Sequence, residues 1–481
     1  MKKKFRILFL EPNFAIAERP GFEEFMEPLN LCYIAAAAKD DGHEVFVIQQ
    51  FDKSAEEIVE VIINYNPEIL ALTFVTCFFN NAKTILRLLK RKNVSVISIA
   101  GGSHVAGDPK EVAEFVDFVI VGEGEETFVK LLDQLPVNRT PDIPGLGFFF
   151  NESFYLNNTR NRASFFNSFP YRDSLNMGKY TGIGNGPPPM PNVGFASMLL
   201  SKGCRFNCDF CINKEVWKDS ISKTIPVIKR NPDHVIQEMI MLNSSYNVGY
   251  VWFHDPDFPL FDRAYMQRFF EAKKNFGDFK YAFMTRIENI LLDTNVDDTI
   301  AFLKNLKHSG CHMIGFGLES FSTSIQKEMN KQMALDKVKL ALELVFKVGI
   351  IPVGFFIIGY PQESEETLNA TFEIAKKLKI IRYRFGIFYP FKGTARRKKT
   401  VNNDWLIPES NTYDLANHET QVLNCHIAPG KLEAYFLKMN YSIYQEQEYI
   451  ERLEQFCQLH PDMKPTIDNW RNLINIDNYY K

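Results

Sequence analysis

The sequence predicts an α/β protein in which a doubly wound parallel sheet is followed by an open six-stranded α/β barrel and a helical C-terminal region. Two observations support this fold class. Short apolar segments alternate with helical patterns over residues 1–135, and they do so again from residue 193 onward. Each of the six strands in the second series ends in polar residues or glycine, which is typical of barrels whose active sites lie at the strand ends.

The chain has 481 residues, which is too long for one ordinary core. The segment between the two alternating series is rich in Pro, Gly and Asn, a composition that favours a connecting segment with little sheet. The predicted regions are residues 1–135 for the first sheet, 136–190 for the connection, 191–395 for the barrel and 396–481 for the helical region.

The composition excludes several classes of protein. Hydrophobic residues make up 46% and charged residues 23% of the chain, with a mean hydropathy of −0.18. No uninterrupted apolar run reaches the length of a membrane span, and the basic start of the chain predicts a first strand rather than a signal peptide. A net charge of −3 gives no electrostatic basis for nucleic-acid binding. The eight cysteines form no disulfide framework, so we expect a cytoplasmic location.

The strand ends of the first series are the candidate ligand site of that region, because ligands bind beyond the carboxyl ends of parallel strands. The relevant ends carry Thr73, Gly101-Gly102 and Gly122-Glu123. A glycine pair lets a bulky ligand approach the backbone, although a plain tight turn explains two glycines equally well. The predicted strands are 5–10, 42–48, 69–74, 94–100 and 118–121, and the predicted helices are 31–40 and 55–65.

Three cysteines with the spacing C-x3-C-x2-C follow the first strand of the second series: Cys204, Cys208 and Cys211. Three thiolates can hold three irons of a 4Fe–4S cluster and leave the fourth iron open for another ligand. A zinc site is the main alternative, but such sites usually use two cysteine pairs and no second C-x2-C occurs. A disulfide with one remaining thiol also stays open.

The second series alternates strands and helices in the order expected for a six-stranded barrel. Arg286 follows the third strand and Glu319 the fourth, so both are predicted to lie at the carboxyl edge of the sheet. The predicted strands are 195–200, 248–254, 281–285, 313–318, 352–358 and 384–388, and the predicted helices are 232–242, 297–309, 335–348 and 365–378.

The cysteine spacing resembles the signature of the radical S-adenosylmethionine (radical SAM) enzymes. The resemblance implies that the three cysteines bind a 4Fe–4S cluster whose open iron chelates the amino and carboxylate groups of SAM, and that Phe210 packs near the adenine. Gly315-Phe-Gly-Leu-Glu319-Ser320 and Asn330-Lys331 also match the family. Two turns depart from it: Gln362 replaces glycine in a G-x-P-G-E motif, and Lys392 replaces proline in a P-x-P-G-T motif.

Further SAM contacts are implied for strand-end residues of the barrel. The stretch Asp255-Pro-Asp257-Phe258 resembles a D-D-x-F motif near the methionine amino group. Arg286 could bind the SAM carboxylate as a bidentate pair, and Glu319 could accept hydrogen bonds from SAM. A structural ion pair stays open for both, and local backbone bonding stays open for the two aspartates. The expected SAM-binding residues are Phe210, Asp255, Arg286, Glu319 and Gly359.

The first region is similar to the Rossmann-like cobalamin-binding domain that is attached to one large class of radical SAM enzymes. The resemblance rests on the glycine pair and on Gly122-Glu-Gly-Glu125 near the end of the region. The usual D-x-H-x-x-G motif is absent from residues 12–31, which implies cobalt ligation without histidine; a degenerate domain that binds no cobalamin is the alternative. A lone histidine is more often an ordinary hydrogen-bonded residue than a ligand. The expected cobalamin-binding residues are Thr73, Gly101, Gly102, His104, Gly122 and Glu123.

The resemblance implies a partial TIM barrel that cleaves SAM reductively to a 5′-deoxyadenosyl radical, with one electron from a flavodoxin- or ferredoxin-type donor. The expected reaction is cobalamin-dependent methylation of an unactivated carbon in a small-molecule or lipid substrate. The alternatives are a radical cyclase or rearrangement enzyme, and a non-catalytic metal-binding or electron-transfer protein.

In the C-terminal region, the apolar helical face of Leu432, Tyr435, Phe436 and Met439 favours core packing, with a substrate lid as the alternative.

Overall fold

The computed structural model describes residues 2–12, 26–50, 53–138, 140–159, 168–180, 194–217, 227–292, 295–407, 422 and 426–473. The N-terminal region contains strands β1 (Arg6–Glu11), β2 (Glu44–Gln49), β3 (Ile69–Thr73), β4 (Ile97–Gly101), β5 (Phe118–Ile120), β6 (Leu146–Phe150) and β7 (Ser153–Leu156). Its helices are α1 (Leu29–Asp40), α2 (Ala55–Tyr65), α3 (Phe79–Arg91), α4 (Ser103–Gly107), α5 (Pro109–Ala113) and α6 (Gly124–Gln134).

The first sheet has the strand order β2-β1-β3-β4-β5-β6-β7, and β1 to β5 are parallel. Its two faces carry separate apolar clusters. On one face Leu31 of α1 and Phe128 of α6 are buried, and on the other Ile58 of α2 and Ile85 of α3. Helices therefore cover both faces, and the predicted doubly wound sheet is confirmed.

The expectation of little sheet in residues 136–190 is wrong for its first part. Strands β6 and β7 form an antiparallel hairpin that extends the sheet beyond β5. The turn residues Asn151 and Glu152 have φ of 48° and 63°, which is the backbone of a type I′ hairpin turn. That turn usually has glycine second, so Asn-Glu is a weak sequence signal. Residues 160–167 and 181–190 of the predicted connection lie outside the described residues.

The barrel region contains strands β8 (Gly194–Met198), β9 (Ser201–Lys202), β10 (Ile228–Lys229), β11 (Val248–Phe253), β12 (Lys280–Thr285), β13 (Cys311–Glu319), β14 (Ile351–Ile358) and β15 (Arg382–Ile387). Its helices are α7 (Asn213–Trp217), α8 (Pro232–Tyr246), α9 (Arg263–Lys273), α10 (Val296–His308), α11 (Thr323–Glu328), α12 (Leu335–Lys347), α13 (Glu365–Lys377) and α14 (Ala395–Asn402). Six of these strands form a parallel sheet in the order β15-β14-β13-β12-β11-β8. The two outer strands, β15 and β8, do not pair with each other, so the sheet does not close. The predicted open barrel is therefore confirmed.

The C-terminal helices α15 (Pro429–Tyr441), α16 (Gln447–Leu459) and α17 (Lys464–Leu473) pack against the last strand and its neighbours. Leu432, Phe436 and Met439 are buried in the barrel core, as core packing predicts. The side-chain amide of Asn440 accepts from the N–H of Phe385 at 3.0 Å and donates to its carbonyl at 2.9 Å. Within the described part of the chain, no helix is both long and apolar enough to cross a membrane.

A fully buried ionic network joins the two sheets. The Arg172 guanidinium donates to Glu27 at 3.3 Å, to Glu238 of α8 at 3.0 Å and to the carbonyl of Ser197 in β8 at 2.8 Å. Glu238 also pairs with Arg230 at 2.6 Å. Since the Arg172, Glu27 and Glu238 side chains have no exposed surface, each charge depends on its partners for compensation.

Replacing Arg172 by Met is expected to lower the free energy of unfolding by about 3–5 kcal/mol, because it leaves buried carboxylate charge without its main compensation. The measurement is urea unfolding of the full chain. The matched control is Lys39→Met, which removes an ion pair to Asp173 whose side chains are 51% and 60% exposed. Such pairs contribute less than about 1 kcal/mol. Equal losses in the two variants would contradict a special contribution of the buried network.

Candidate active site

The three cysteines lie on a loop between β9 and α7, at the carboxyl edge of the barrel sheet. The chain that enters this loop is fixed by Asp255, which follows β11. Its carboxylate accepts from the N–H of Leu200 at 3.0 Å and from both the N–H and hydroxyl of Ser201. Burial raises the pKa of Asp255 to about 7. The structure thus gives this carboxylate a role in backbone bonding, and its expected SAM contact stays a prediction.

The loop is also held from its other side by the last strands of the barrel. Asp209, between the second and third cysteines, pairs with Arg396 of α14 at 2.7 Å and accepts from the Tyr360 hydroxyl. The Asp209 N–H donates to the carbonyl of Met329 at 3.1 Å, and the Asn330 side chain donates to the carbonyl of Asn207 at 2.7 Å. Sequence reasoning missed Asp209, Tyr360 and Arg396 as supports of the loop. Their only sequence signal is their position inside or beside motifs at strand ends.

The first half of the loop contacts the middle strands. Arg205 donates to the Asn289 side chain at 2.7 Å and lies 3.7 Å from Asp257. Asp257 also accepts from Thr285 at 3.1 Å and is buried. Asp257 therefore takes part in local bonding, which is the alternative that the sequence left open. Polar side chains from the ends of β11, β12 and β14, together with residues beside α11 and in α14, thus hold the loop.

The environment of the sulfur atoms fits an iron–sulfur cluster. Burial raises the pKa of Cys204 to about 12 and that of Cys211 to about 11, and it also raises that of Cys208. Buried thiols of this kind ionise when a metal centre supplies positive charge. The N–H groups of Phe206 and Asn213 hydrogen-bond Cys204 and Cys211 respectively, and such bonds favour anionic sulfur.

A zinc ion is the alternative to a cluster at these cysteines. Within the described ranges, no three His, Cys, Asp or Glu side chains are gathered as a single metal ion would require. Tetrahedral zinc brings its thiolates close together around one centre, whereas a cluster takes them at separate irons. A cluster therefore requires less closely spaced thiols than a zinc ion does.

Two positively charged side chains stand beside Cys208. The Arg286 guanidinium approaches its Sγ at 3.6 Å, lies 4.1 Å from the ring centroid of Phe206 and donates to Glu288 at 3.2 Å. The charge of Lys331 offsets part of the rise that burial causes in the pKa of Cys208, and Lys331 pairs with Glu319 at 2.8 Å. The ion pairs that the sequence left open are thus present for both Arg286 and Glu319. Both groups adjoin the cysteine loop, and their SAM contacts stay predictions.

Glu319 has an unusual backbone. It ends β13 with φ of 56°, next to a register shift in the pairing with β14. A left-handed conformation costs roughly 1–2 kcal/mol in a residue with a side chain. Such outliers are concentrated at functional sites, where the surroundings hold them in place. The backbone of Glu319 therefore supports the prediction that it belongs to the site.

The remaining two predicted SAM residues lie on one side of the cysteine loop. Phe210 packs edge-on against Tyr360 at 6.4 Å, in a small apolar cluster with Met329 and Phe388. Gly359 follows β14 and has φ of 74°, and its N–H donates to the buried carboxylate of Glu363. Phe210 and Gly359 thus both adjoin Tyr360, and their SAM contacts stay predictions.

Gln362 stands where the family motif has glycine, and its backbone conformation explains how the turn is kept. Gln362 has φ of 70°, so the turn keeps the conformation for which the family motif uses glycine. The local geometry of the turn is therefore retained despite the substitution, at the energetic cost of a side chain in the left-handed region.

At the N-terminal edge, Thr73 and the glycine pair are adjacent. The Thr73 hydroxyl accepts from Asn30 at 2.7 Å. Gly102 has φ of 102°, and a Cβ there would lie 2.6 Å from the Thr73 hydroxyl oxygen. A Cβ on Gly101 would have a single neighbour, at 3.7 Å, and the nearby Val75 is 45% exposed. This open, partly apolar strand edge fits a bulky ligand such as cobalamin.

His104 does not point to that edge. Its side chain has no exposed surface, its Nδ1 lies 3.2 Å from the Thr76 hydroxyl, and its ring lies 4.4 Å from the ring of Phe79. A cobalamin contact would require the ring to leave this packing, so the ordinary role that the sequence left open is the one seen.

Gly122 has φ of 96° and precedes Glu123 at the start of α6. Residues 13–25, most of the stretch that lacks the cobalt-ligating motif, lie outside the described residues.

The two strand-end edges meet. Lys202 of β9 pairs with Glu123 at 2.6 Å and with Glu125 at 3.0 Å. Lys392, which follows β15, pairs with Asp108 at 3.1 Å and Glu111 at 2.7 Å. Lys392, which replaces proline in the family motif, thus forms ion pairs between the two regions.

The backbones of the two regions also approach closely. A Cβ built on Gly107 of α4 would lie 2.5 Å from the Lys392 carbonyl oxygen, and one on Gly393 would lie 2.9 Å from the Cα of Gly107. Side chains at either glycine would force the regions apart. This contact brings the end of β15 against the helix that follows the glycine pair.

Replacing Gln362 by Gly is expected to raise the free energy of unfolding by about 0.5–1 kcal/mol, because relief of the left-handed strain exceeds the added chain entropy of glycine. Urea unfolding measures the difference. Gln362→Ala is the matched control: it removes the same side chain but keeps a Cβ, so it should give no gain. A gain of equal size in both variants would show that the side chain, and not the backbone angle, causes the effect.

Comparison with known proteins identifies the family of this chain. Family models for the B12 binding domain and the Radical SAM superfamily match residues 21–132 and 198–375. An uncharacterized methyltransferase of Pyrococcus horikoshii is 30% identical over 398 residues, covering 79% of this chain and 80% of that protein. The anaerobic magnesium-protoporphyrin IX monomethyl ester cyclase of Rubrivivax gelatinosus is 23% identical, covering 77% of this chain and 65% of the cyclase.

Among solved structures, the radical SAM methyltransferase TsrM from Kitasatospora setae, with cobalamin and a [4Fe-4S] cluster bound, is similar with a TM-score of 0.64. The identity is 15%, and the match covers 83% of this chain and 75% of TsrM. The fold class expected from the sequence is confirmed, and the expected set of cofactors (4Fe–4S cluster, SAM and cobalamin) is the set of this family. The chain belongs to the radical SAM enzymes that carry an N-terminal cobalamin-binding domain.

Proposed function

We propose that this protein is a cobalamin-dependent radical SAM methyltransferase that acts on an unactivated carbon of a small-molecule or lipid substrate. The observation that carries the proposal is the meeting of the two strand-end edges. The cysteine loop and the N-terminal ligand edge are joined through Lys202 and through the close contact of Gly107 with Gly393. A methyl carrier bound at one edge would then be close to a substrate activated at the other.

The chain's own residues have separable roles in this proposal. Cys204, Cys208 and Cys211 hold three irons of the cluster. Arg286 binds the carboxylate of SAM, since its guanidinium already lies beside Cys208 and needs only to exchange its partly exposed partner Glu288. Glu319 and Lys331 supply one further acceptor and donor next to the cluster. When bound, the cluster supplies SAM with one electron and cobalamin carries the methyl group.

The inner face of the barrel leaves room for a substrate near the strand ends. Gly386 of β15 is exposed, and a Cβ on it would meet only one backbone oxygen, at 3.9 Å. Its neighbour in register, Ile357 of β14, is half-buried and lies on the same face. Met284 and Phe355 contribute further half-buried apolar surface around Gly315. These apolar walls favour a substrate with substantial hydrophobic surface.

His254 is a candidate polar contact for that substrate. His254 follows β11 and keeps solvent-accessible surface, although protein atoms surround its side chain. Burial among protein atoms lowers the pKa of His254 to about 4, and its Nε2 lies 3.1 Å from the Ser197 hydroxyl. The imidazole is therefore neutral at pH 7 and can either accept or donate a hydrogen bond.

A radical cyclase is the second candidate. The Rubrivivax cyclase is similar over most of this chain, and the same SAM cleavage would serve either reaction. The two candidates differ in the fate of the SAM methyl group. A cyclase leaves that methyl on methionine, whereas a methyltransferase passes one equivalent to the corrinoid and then to the product.

The test uses the anaerobically purified, cluster-reconstituted full chain with hydroxocobalamin, a strong reductant and SAM carrying a deuterated methyl group. We expect 5′-deoxyadenosine to form and deuterium to enter the extracted cobalamin, as measured by mass spectrometry. SAM cleavage without label in the cobalamin would favour the cyclase.

The matched control replaces Cys204, Cys208 and Cys211 together by Ala. Its iron and sulfide content and its 5′-deoxyadenosine yield should fall to background, because all three protein ligands of the cluster are lost. Cys311→Ala, a change at a buried cysteine of β13 outside the loop, should keep the iron content. Full iron loading of the triple variant would overturn the assignment of the cluster ligands.

A further inference from the structure

Lys202 occupies an unusual position between the two predicted cofactor sites. Its side chain is 3% exposed and lies between two carboxylates of the other region, Glu123 and Glu125, which are 11% and 8% exposed. The aromatic rings of Tyr33 and Trp217 lie 5.8 Å and 5.9 Å from its ammonium group. The ammonium group is thus enclosed by groups from both regions, and water cannot easily replace its partners.

The covalent connections on each side of this contact are short. Gly203, with φ of 90°, is the only residue between Lys202 and Cys204, the first cysteine of the loop. On the other side, Glu123 directly follows Gly122 at the end of the predicted corrinoid edge and is the N-cap residue of α6. A change in the position of Cys204 therefore reaches Glu123 through one glycine, one lysine side chain and one ion pair.

The backbone around Lys202 limits how this contact can adjust. Lys202 is paired with Ile228 in the two-stranded sheet of β9 and β10, and the preceding Ser201 is held by Asp255. The backbone on the N-terminal side of Lys202 is thus fixed, whereas the glycine on its C-terminal side leads into the loop. When the loop orders around a ligand, the adjustment must be absorbed by Gly203 and by the Lys202 contacts.

Burying one lysine with two carboxylates is costly unless the arrangement is well bonded, and replacing such groups by apolar side chains is often neutral or stabilising. Stability alone therefore explains the triad poorly. We propose that Lys202 is a positioning residue that couples the two cofactor sites, so that loading of the cysteine loop tightens corrinoid binding at the N-terminal edge. This inference rests on the proposed function, because it needs a corrinoid at that edge.

Thermodynamic linkage gives the test, since a coupling between two sites appears as a ratio of dissociation constants. Hydroxocobalamin is titrated by absorbance into the full chain, once without the cluster and once after anaerobic reconstitution. We expect the dissociation constant to be at least about fivefold lower in the reconstituted protein, the lower end of typical couplings. In Lys202→Met the two constants should agree within about twofold, which is below that typical range.

A purely structural role would move both constants together and leave their ratio unchanged, so the ratio separates the two explanations. Lys229→Met is the matched control, because Lys229 lies in the neighbouring strand and pairs with the part-exposed Asp262; it should keep the wild-type ratio. Lys202→Arg keeps the charge and should retain part of the coupling. If Lys202→Met does not fold, as judged by circular dichroism, Glu125→Gln removes one charge of the triad and should reduce the ratio.

The possible failures are distinct. If hydroxocobalamin does not bind the wild-type protein in either state, the proposed function and this inference both fail. If it binds with equal affinity in the two states, or if Lys202→Met and Glu125→Gln keep the wild-type ratio, the coupling through Lys202 is overturned while the proposed function stands.

Discussion

The ion pair of Asp209 with Arg396 connects the cysteine loop to the far end of the barrel, and much of the site is organised around it. Asp209 lies inside the loop, between two thiols, while Arg396 begins the helix after the last strand. The guanidinium also donates to Glu328 at 2.9 Å and lies 4.7 Å from the ring of Tyr360. A single, 1%-exposed arginine thus holds the loop, the end of β14 and the helix after β13 in one arrangement. Because a buried charge tolerates few alternative geometries, these contacts fix the backbone of the loop at Asp209.

The repetitive part of the fold could be predicted from the sequence, since strand and helix patterns follow from hydrophobic period and strand-end polarity. All six barrel strands and the first five strands of the N-terminal sheet lie where apolar segments predict them, with bounds that differ by a few residues. The hairpin of β6 and β7 could not be predicted in the same way, because its turn uses Asn151 and Glu152 instead of a glycine pair. Local turn chemistry was the missing information.

The site could be predicted from the sequence where a residue type, in a given spacing, has one dominant chemical function. Three closely spaced cysteines indicate a metal centre whatever surrounds them, whereas a carboxylate or histidine at a strand end has several possible partners. Asp255 bonds the backbone of Leu200 and Ser201, and His104 packs against Phe79. These outcomes depend on contacts between residues distant in sequence, such as Lys202 with Glu123, and no single-sequence pattern reports such pairs.

An open barrel leaves the last strand with unpaired backbone groups, and exposed strand edges invite pairing with other chains. In this protein the amide of Asn440 serves both the N–H and the carbonyl of Phe385, and the Tyr444 hydroxyl serves both backbone groups of Tyr383. Two side chains of the C-terminal region thereby imitate the hydrogen bonds of a seventh strand. The C-terminal helices thus act as protection against aggregation: they let the sheet stop at six strands, so that its interior remains accessible to cofactors and substrate, without offering its edge to another molecule.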